Sequence, residues 1–171
     1  GDVPDALRPF FAELCHEIRG IEARILLVEQ QLPALSKQLP VVAQLLTIPG
    51  VGLLSATALL AFLGDIRRFP SARHLASYLG LTPREYSSGL KRYLGRISKR
   101  GDIYLRTLLI HGARSVLLHA RSSRPDRLRE WAYKLSNTHV HNKAAVAVAN
   151  KMARIVWAVW TRSQPYQLLA A

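Results

Sequence analysis

Cysteine is nearly missing from this chain: Cys15 stands alone. No internal disulfide framework can form, and the composition suits a reducing compartment. Acidic residues are scarce, 11 against 24 Lys and Arg, which leaves a formal net charge of +13. No basic-then-apolar leader follows Gly1, and the chain reads as a piece of a larger cytoplasmic protein. Charge is absent between Lys37 and Asp65, yet a membrane span needs roughly 20 apolar residues in one continuous helix. Pro40 and Pro49-Gly50-Val51-Gly52 interrupt this run. Two buried core helices joined by a turn are expected there, and no membrane partner.

Hydrophobic residues make up 49% of the 171 positions, far too many for a disordered basic tail. The length suits one medium domain with an appendage, or two small domains. Charge is segregated along it. From Gly1 to Leu46 four basic residues meet six acidic ones, net −2, whereas from Arg84 to Arg129 twelve meet three, net +9. Solubility alone needs no such division. It points to an assembly element followed by a half that faces a polyanion.

The assembly element is legible in heptads. Leu7, Leu14, Ile21, Val28 and Leu35 form one apolar series, and Phe11, Ile18, Ile25, Leu32 and Leu39 a second, four residues later. This is a coiled-coil pattern, predicted to self-associate as a homodimer or tetramer; a helix packed on its own domain is the alternative. Pro33 is expected to end the secure helix near Leu32. Cys15, beside the seam, is expected to be a small buried apolar residue.

Around Pro49 a helix leads into a glycine turn, and Leu53 opens the next helix. Free N–H groups at such a helix start attract phosphate, with Gly50 and Gly52 leaving the backbone open. The arrangement (about 45–64) resembles a helix-hairpin-helix motif; an ordinary αα-corner is the alternative.

Beyond a short helix over Ser71–Leu79, residues of about 80–101 carry four glycines and no helical period. Loops of this length are usually functional or disordered. Apolar anchors at Leu81, Tyr86, Tyr93, Leu94 and Ile97 argue for order. Arg84, Lys91, Arg92, Arg96, Lys99, Arg100 and, just beyond, Arg106 cluster here. Ser88, before Gly89, has the open backbone and cationic setting that attack on phosphate requires. The residues alone favour a phosphate-contacting loop without chemistry over a catalytic serine.

A helix from Asp102 to about Ser122 carries Arg106, Arg114 and Arg121 on one face, either groove-lining or merely solvated. Arg121–Arg129 reads as a basic connection able to touch phosphate. The last helix, from about His141, has a stripe of Val148, Met152, Ile155, Val156 and Val159. Trp157 and Trp160 are expected to complete the core or a subunit contact. His139 and His141, two apart, suit no metal site. His111 and His119 are unplaced candidates for a general base.

Ile48-Pro49-Gly50-Val51-Gly52, Phe69, Leu75-Ala76-Ser77-Tyr78-Leu79-Gly80-Leu81-Thr82-Pro83, Ser88-Gly89, Gly95-Arg96-Ile97-Ser98-Lys99-Arg100-Gly101-Asp102, Leu105-Arg106 and Asn142-Lys143-Ala144 occur in this order. Together they resemble the C-terminal catalytic domain of the bacterial DEDD insertion-sequence transposases, the bridge-RNA-guided recombinases related to pilin-gene DNA invertases. The resemblance implies a serine that joins covalently to DNA phosphate, falling on Ser88, with Ser87 as its less fitting neighbour. It implies Mg²⁺ bound by an acidic N-terminal domain absent here, with DNA and a guide RNA as partners in the bacterial nucleoid.

The expected fold is all-α: a coiled-coil arm over 1–40, then a compact helical domain over 41–171. The expected function is the DNA-binding and serine-bearing half of a transposase, inactive by itself. Gly50, Gly52, Arg84, Lys91, Arg92, Arg96, Lys99, Arg100 and Arg106 are the candidate nucleic-acid contacts, and Ser88 the catalytic residue. A non-catalytic nucleic-acid-binding and dimerisation module is the alternative, and an oligomerisation scaffold a third reading.

Overall fold

A computed structural model describes residues 3–88, 91, 93–121 and 126–166. Among them are seven α-helices: α1 (Arg8–Lys37), α2 (Pro40–Leu45), α3 (Leu53–Leu63), α4 (Ala72–Tyr78), α5 (Ile103–Leu118), α6 (Arg127–Thr138) and α7 (His141–Arg162). Two short strands, β1 (Pro83–Glu85) and β2 (Leu94–Ile97), pair antiparallel. The class is all-α. No described helix is long and apolar enough to cross a membrane.

The core is organised around α7, which packs on α2, α4, α5 and α6. Its stripe of Val148, Met152, Val156 and Val159 is buried, together with Ala144, Ala145, Ala149 and Ala153. The alanines let neighbouring backbones come close, while each large apolar side chain contributes about 1.5–3 kcal/mol on burial. Trp160 is buried, and half-buried Trp157 donates Nε1–H to the carbonyl of Phe69 at 2.9 Å. Asn150 donates to the carbonyl of Leu81 at 3.1 Å and so ties α7 to the chain leaving α4.

The arm departs from expectation in two respects. α1 continues through Pro33 to Lys37. Proline removes a single N–H and crowds one carbonyl, and the turn beyond it still closes, with Ser36 Oγ donating to the Pro33 carbonyl at 2.9 Å. At about 1.5 Å per residue the helix is roughly 45 Å long. Every residue from Val3 to Gln31 is exposed. Cys15, expected to be buried, is exposed as well, because nothing among the described residues covers that part of the arm. The side chain of Leu35 lies outside the described residues.

Asp126 anchors the start of α6. It is buried and caps α6, accepting from the N–H groups of Leu128 at 2.8 Å and Arg129 at 3.1 Å. Its other oxygen pairs with Arg129 Nη1 at 3.1 Å. Tyr166, carried back over α2 by a bond from its N–H to Thr47 Oγ1, donates its hydroxyl to Asp126 at 3.2 Å. Burial first, then the Asp126 charge, pushes the Tyr166 phenol up to about 12. A raised phenol favours the neutral form in the fold. Its contribution is complete below the ordinary value of about 10 and is lost as pH rises through the folded value. Thermal melts should therefore drop across this alkaline window, and Tyr166→Phe should flatten the drop. An unchanged profile in Tyr166→Phe would remove Tyr166 from the linkage.

Candidate nucleic-acid interface

The basic segment expected to be an irregular loop is a β-hairpin. Pro83 faces Ile97 and Glu85 faces Leu94, with a register shift between them that sets Gly95 and Arg96 opposite Arg84. The ladder runs on toward the tip. Tyr86 donates its N–H to the Tyr93 carbonyl at 2.9 Å, and Ser88 is bridged to Lys91, whose N–H reaches the Ser88 carbonyl at 3.3 Å. Gly89, Leu90 and Arg92 lie outside the described residues.

Glycines hold the hairpin base against α4. Gly101, with φ +106°, lies where a Cβ would overlap the Tyr78 carbonyl oxygen, and Gly80, with φ +68°, meets the Arg100 backbone in the same way. Ser98 N–H donates to the Thr82 carbonyl at 2.8 Å, and Lys99 N–H to the Gly80 carbonyl at 3.1 Å. Asp102 then caps α5 by accepting from Leu105 N–H at 2.7 Å. The run from Gly95 to Asp102 is thus a clamp that presents cations while locking its own backbone.

Two grooves flank the hairpin. One, of about 530 Å³, is lined by Ser77, Thr82, Arg84, Glu85, Tyr86, Ser98 and Arg100. The other, of about 280 Å³, is lined by Arg84, Tyr86, Arg96, Ile97, Ser98 and Lys99. Hydroxyls and guanidinium groups converge in the first, a donor set suited to phosphate oxygens. Arg84 is shared by both and steadied by a long bond from Nη2 to the Ser98 carbonyl, 3.4 Å.

The two serines differ in occupation. Ser87 Oγ donates to Glu85 Oε1 at 2.7 Å and accepts from Tyr93 N–H at 3.2 Å, so it holds the hairpin together. Ser88 is exposed, and its hydroxyl has no hydrogen-bond partner among the described residues. His119 directs Nδ1 to its own helix, at the Ser115 carbonyl, 2.9 Å, and His111 is exposed on α5.

Several expected contacts are placed otherwise. Arg106 is only 8% exposed and donates Nη1 to the Leu79 carbonyl at 3.2 Å, bracing α5 against the end of α4. It does not share an open face with Arg114, which reaches Asn142 Oδ1 at 3.4 Å, or with Arg121. Arg121 lies over the Tyr133 ring, 5.2 Å from its centre, and donates to its hydroxyl, which holds that phenol below its usual value. Gly50, with φ +82°, is also turned inward. A Cβ there would meet the Gly112 carbonyl, Val116 and Met152, so this glycine lets the turn touch α5 and α7. Gly50 itself is half-buried. Gly52 is exposed at the N-cap of α3 with nothing near a Cβ position. Residues 122–125 of the basic connection, Arg124 included, lie outside the described residues.

Among the described residues no group of three or more His, Cys, Asp or Glu is gathered as a metal ion requires. The described residues do not gather the carboxylates that the Mg²⁺ implied by the resemblance would need. Sequence reasoning missed Gly112, whose close approach to Gly50 is long-range, and the capping role of Asp126. A Pro-Asp pair ahead of an apolar-periodic stretch was the available signal for the latter.

The hairpin base, the glycine turn and α5 all fall within one stretch of known sequence. The model for the transposase IS116/IS110/IS902 family matches residues 42–129. This chain belongs to that family. A probable family 20 transposase of Pseudomonas aeruginosa is 42% identical over 165 residues, 96% of this chain and 48% of that protein. The transposase for insertion sequence element IS1111A of Coxiella burnetii is 44% identical over 139 residues, covering 81% of this chain and 38% of its own length. A pilin gene-inverting protein of Moraxella lacunata is 32% identical over 124 residues, 71% of this chain and 37% of that protein. The chain thus spans about half the length, or less, of these family members.

Proposed function

We propose that this chain is the DNA-binding and serine-bearing half of a transposase that attacks DNA phosphate through Ser88. The observation that carries this reading is the contrast at the hairpin tip. Ser87 is tied to Glu85 and Tyr93, while Ser88 presents an uncommitted hydroxyl on a cationic projection. In the reaction the Oγ–P bond forms as one P–O bond to a deoxyribose breaks, and the hydroxyl proton ends on the departing oxygen. Arg84, Lys91, Arg96, Lys99 and Arg100, with Arg92 beside them in sequence, hold phosphates and meet the charge that develops. Gly52, at the start of α3, offers backbone N–H groups as a further phosphate contact in the manner of a helix-hairpin-helix.

The acidic Mg²⁺-binding domain belongs to the rest of the transposase, and a guide RNA joins DNA as partner. The names of the relatives support strand exchange on DNA. The test is to trap the cleaved complex of the chain joined to that acidic domain, then map the crosslink by mass spectrometry. A nucleotide on Ser88 is the expected result. An active complex with no serine adduct would leave the hairpin as a grip alone, which is the non-catalytic reading.

Self-association runs through α1. Phe11, Leu14, Ile18, Ile21, Ile25 and Val28 are each at least half exposed in the single chain. A second copy of the same seam is the occupant that the heptad pattern fits. The double substitution Ile18→Asp, Ile25→Asp places buried unpaired charges in that seam, and it should weaken association by about 100-fold or more. Light scattering after size exclusion reads this directly. An unchanged mass for the variant would return α1 to packing on its own protein.

A further inference from the structure

We propose that Tyr86 and Tyr93 form a stacking platform for unpaired bases, carried on the same hairpin that holds the phosphates. The inference rests on the reading of that hairpin as a nucleic-acid interface, and it names the form of nucleic acid bound there. Tyr86 is 59% exposed and Tyr93 66% exposed. They are cross-strand neighbours, linked by the bond from Tyr86 N–H to the Tyr93 carbonyl, with ring centres 6.3 Å apart and planes tilted by 55°. Among the described residues neither hydroxyl has a hydrogen-bond partner.

The fold makes room for this pair rather than hiding it. A Cβ at Gly95 would stand 2.8 Å from Tyr86 Cε2, so the absent side chain is what lets the Tyr86 ring lie along β2. Tyr86 also borders both basic grooves, beside Arg84 and Arg100 in one and Arg84, Arg96 and Lys99 in the other. Exposed aromatic rings interleaved with cations are the arrangement that binds single strands: phosphates follow the cations while bases lie on the rings. Charge selects this occupant over an apolar protein surface, which Arg84, Arg96 and Lys99 would oppose.

Base pairing and stacking cover the π-faces of a duplex interior, so only splayed or single-stranded nucleotides can use the platform. Side chains alternate along a strand, and this sets Ser88 on the same face as Tyr86, two residues on. A base held by the tyrosines therefore sits next to a phosphate offered to Ser88.

The test uses the 171-residue chain with fluorescein-labelled single-stranded and duplex DNA of equal length, read by anisotropy over a salt series. Tyr86→Leu and Tyr93→Leu should each weaken single-strand binding by about ten-fold, the size of one lost base–aromatic stack. Duplex affinity should stay within about two-fold, and the salt slope should not change, since no cation is removed. Tyr86→Phe and Tyr93→Phe keep the ring and should bind as the parent does, which separates stacking from a damaged hairpin. A 2-aminopurine base in the single strand should be quenched by the parent and less so by the Leu variants.

Equal losses on single strand and duplex, or loss in the Phe variants, would overturn the platform while leaving the basic grip in place. Unchanged binding by both Leu variants overturns it too and assigns the pair to a protein contact. Absence of binding to either DNA form by the parent chain would remove the nucleic-acid reading, and the platform with it.

Discussion

Ser88→Ala should abolish the trapped protein–DNA adduct in the complete transposase and lower strand transfer by on the order of 10⁴-fold or more, as loss of a covalent nucleophile does. DNA affinity should remain within about two-fold, because the substitution removes no charge, keeps the backbone bond from Lys91 N–H to the Ser88 carbonyl, and deletes a hydroxyl with no hydrogen-bond partner among the described residues. Ser87→Ala is the informative neighbour. It deletes both the 2.7 Å bond to Glu85 and the acceptor for Tyr93 N–H, a loss of about 1–2 kcal/mol in local stability. A partial fall in activity with the adduct still on Ser88 is the expected pattern. Adduct mapping beside turnover on a denaturing gel separates the two serines. An adduct that survives in Ser88→Ala and disappears in Ser87→Ala would reverse their roles.

Gly101→Ala should be the most damaging single-methyl change in the domain. Its φ of +106° is strained for any residue with a Cβ, and the added carbon would overlap the Tyr78 carbonyl. Backbone strain and overpacking together cost about 3 kcal/mol or more, a melting shift of roughly 10 °C for a chain of this size. Two other glycines calibrate it. Gly64 has φ +64° and open space around a Cβ position, so Gly64→Ala carries backbone strain alone, about 1 kcal/mol. Gly52 has φ −91° and open space as well, so Gly52→Ala adds neither strain nor clash and should cost only the poorer N-cap of α3, about 0.5–1 kcal/mol. Thermal and urea melts of the three variants give the ranking directly. Similar losses for Gly101→Ala and Gly64→Ala would show that the hairpin base yields without consequence to the core.

Helix periodicity was readable to within a few residues. α7 begins at His141 as expected, since its apolar stripe recurs at helical spacing and the polar positions between face outward. The arm was readable too, but its end was not: proline is a local breaker, and neighbouring packing can carry a helix past it. The hairpin left little trace. Its strands are only three and four residues long, the register shift breaks two-residue alternation, and Arg84, Glu85, Ser87 and Ser88 put polar groups on both faces. Tertiary contacts at Gly80 and Gly101, not strand propensity, hold it.

Glycine and arginine show most clearly where local reading stops. Gly50 and Gly52 stand two apart in one turn, yet one is packed against Gly112 of α5 and the other faces solvent. Arg100 and Arg106 lie in one basic run, yet Arg100 lines a groove and Arg106 braces the Leu79 carbonyl from within. Sequence alone determined the helical class, the apolar heptad series of α1 and the charge imbalance between the halves, because these follow from spacing between chain neighbours. Which glycines stay open, which cations stay free and which serine keeps an unbound hydroxyl were decided only on folding. Those properties depend on atoms brought up from distant parts of the chain, and no local pattern specifies which ones arrive.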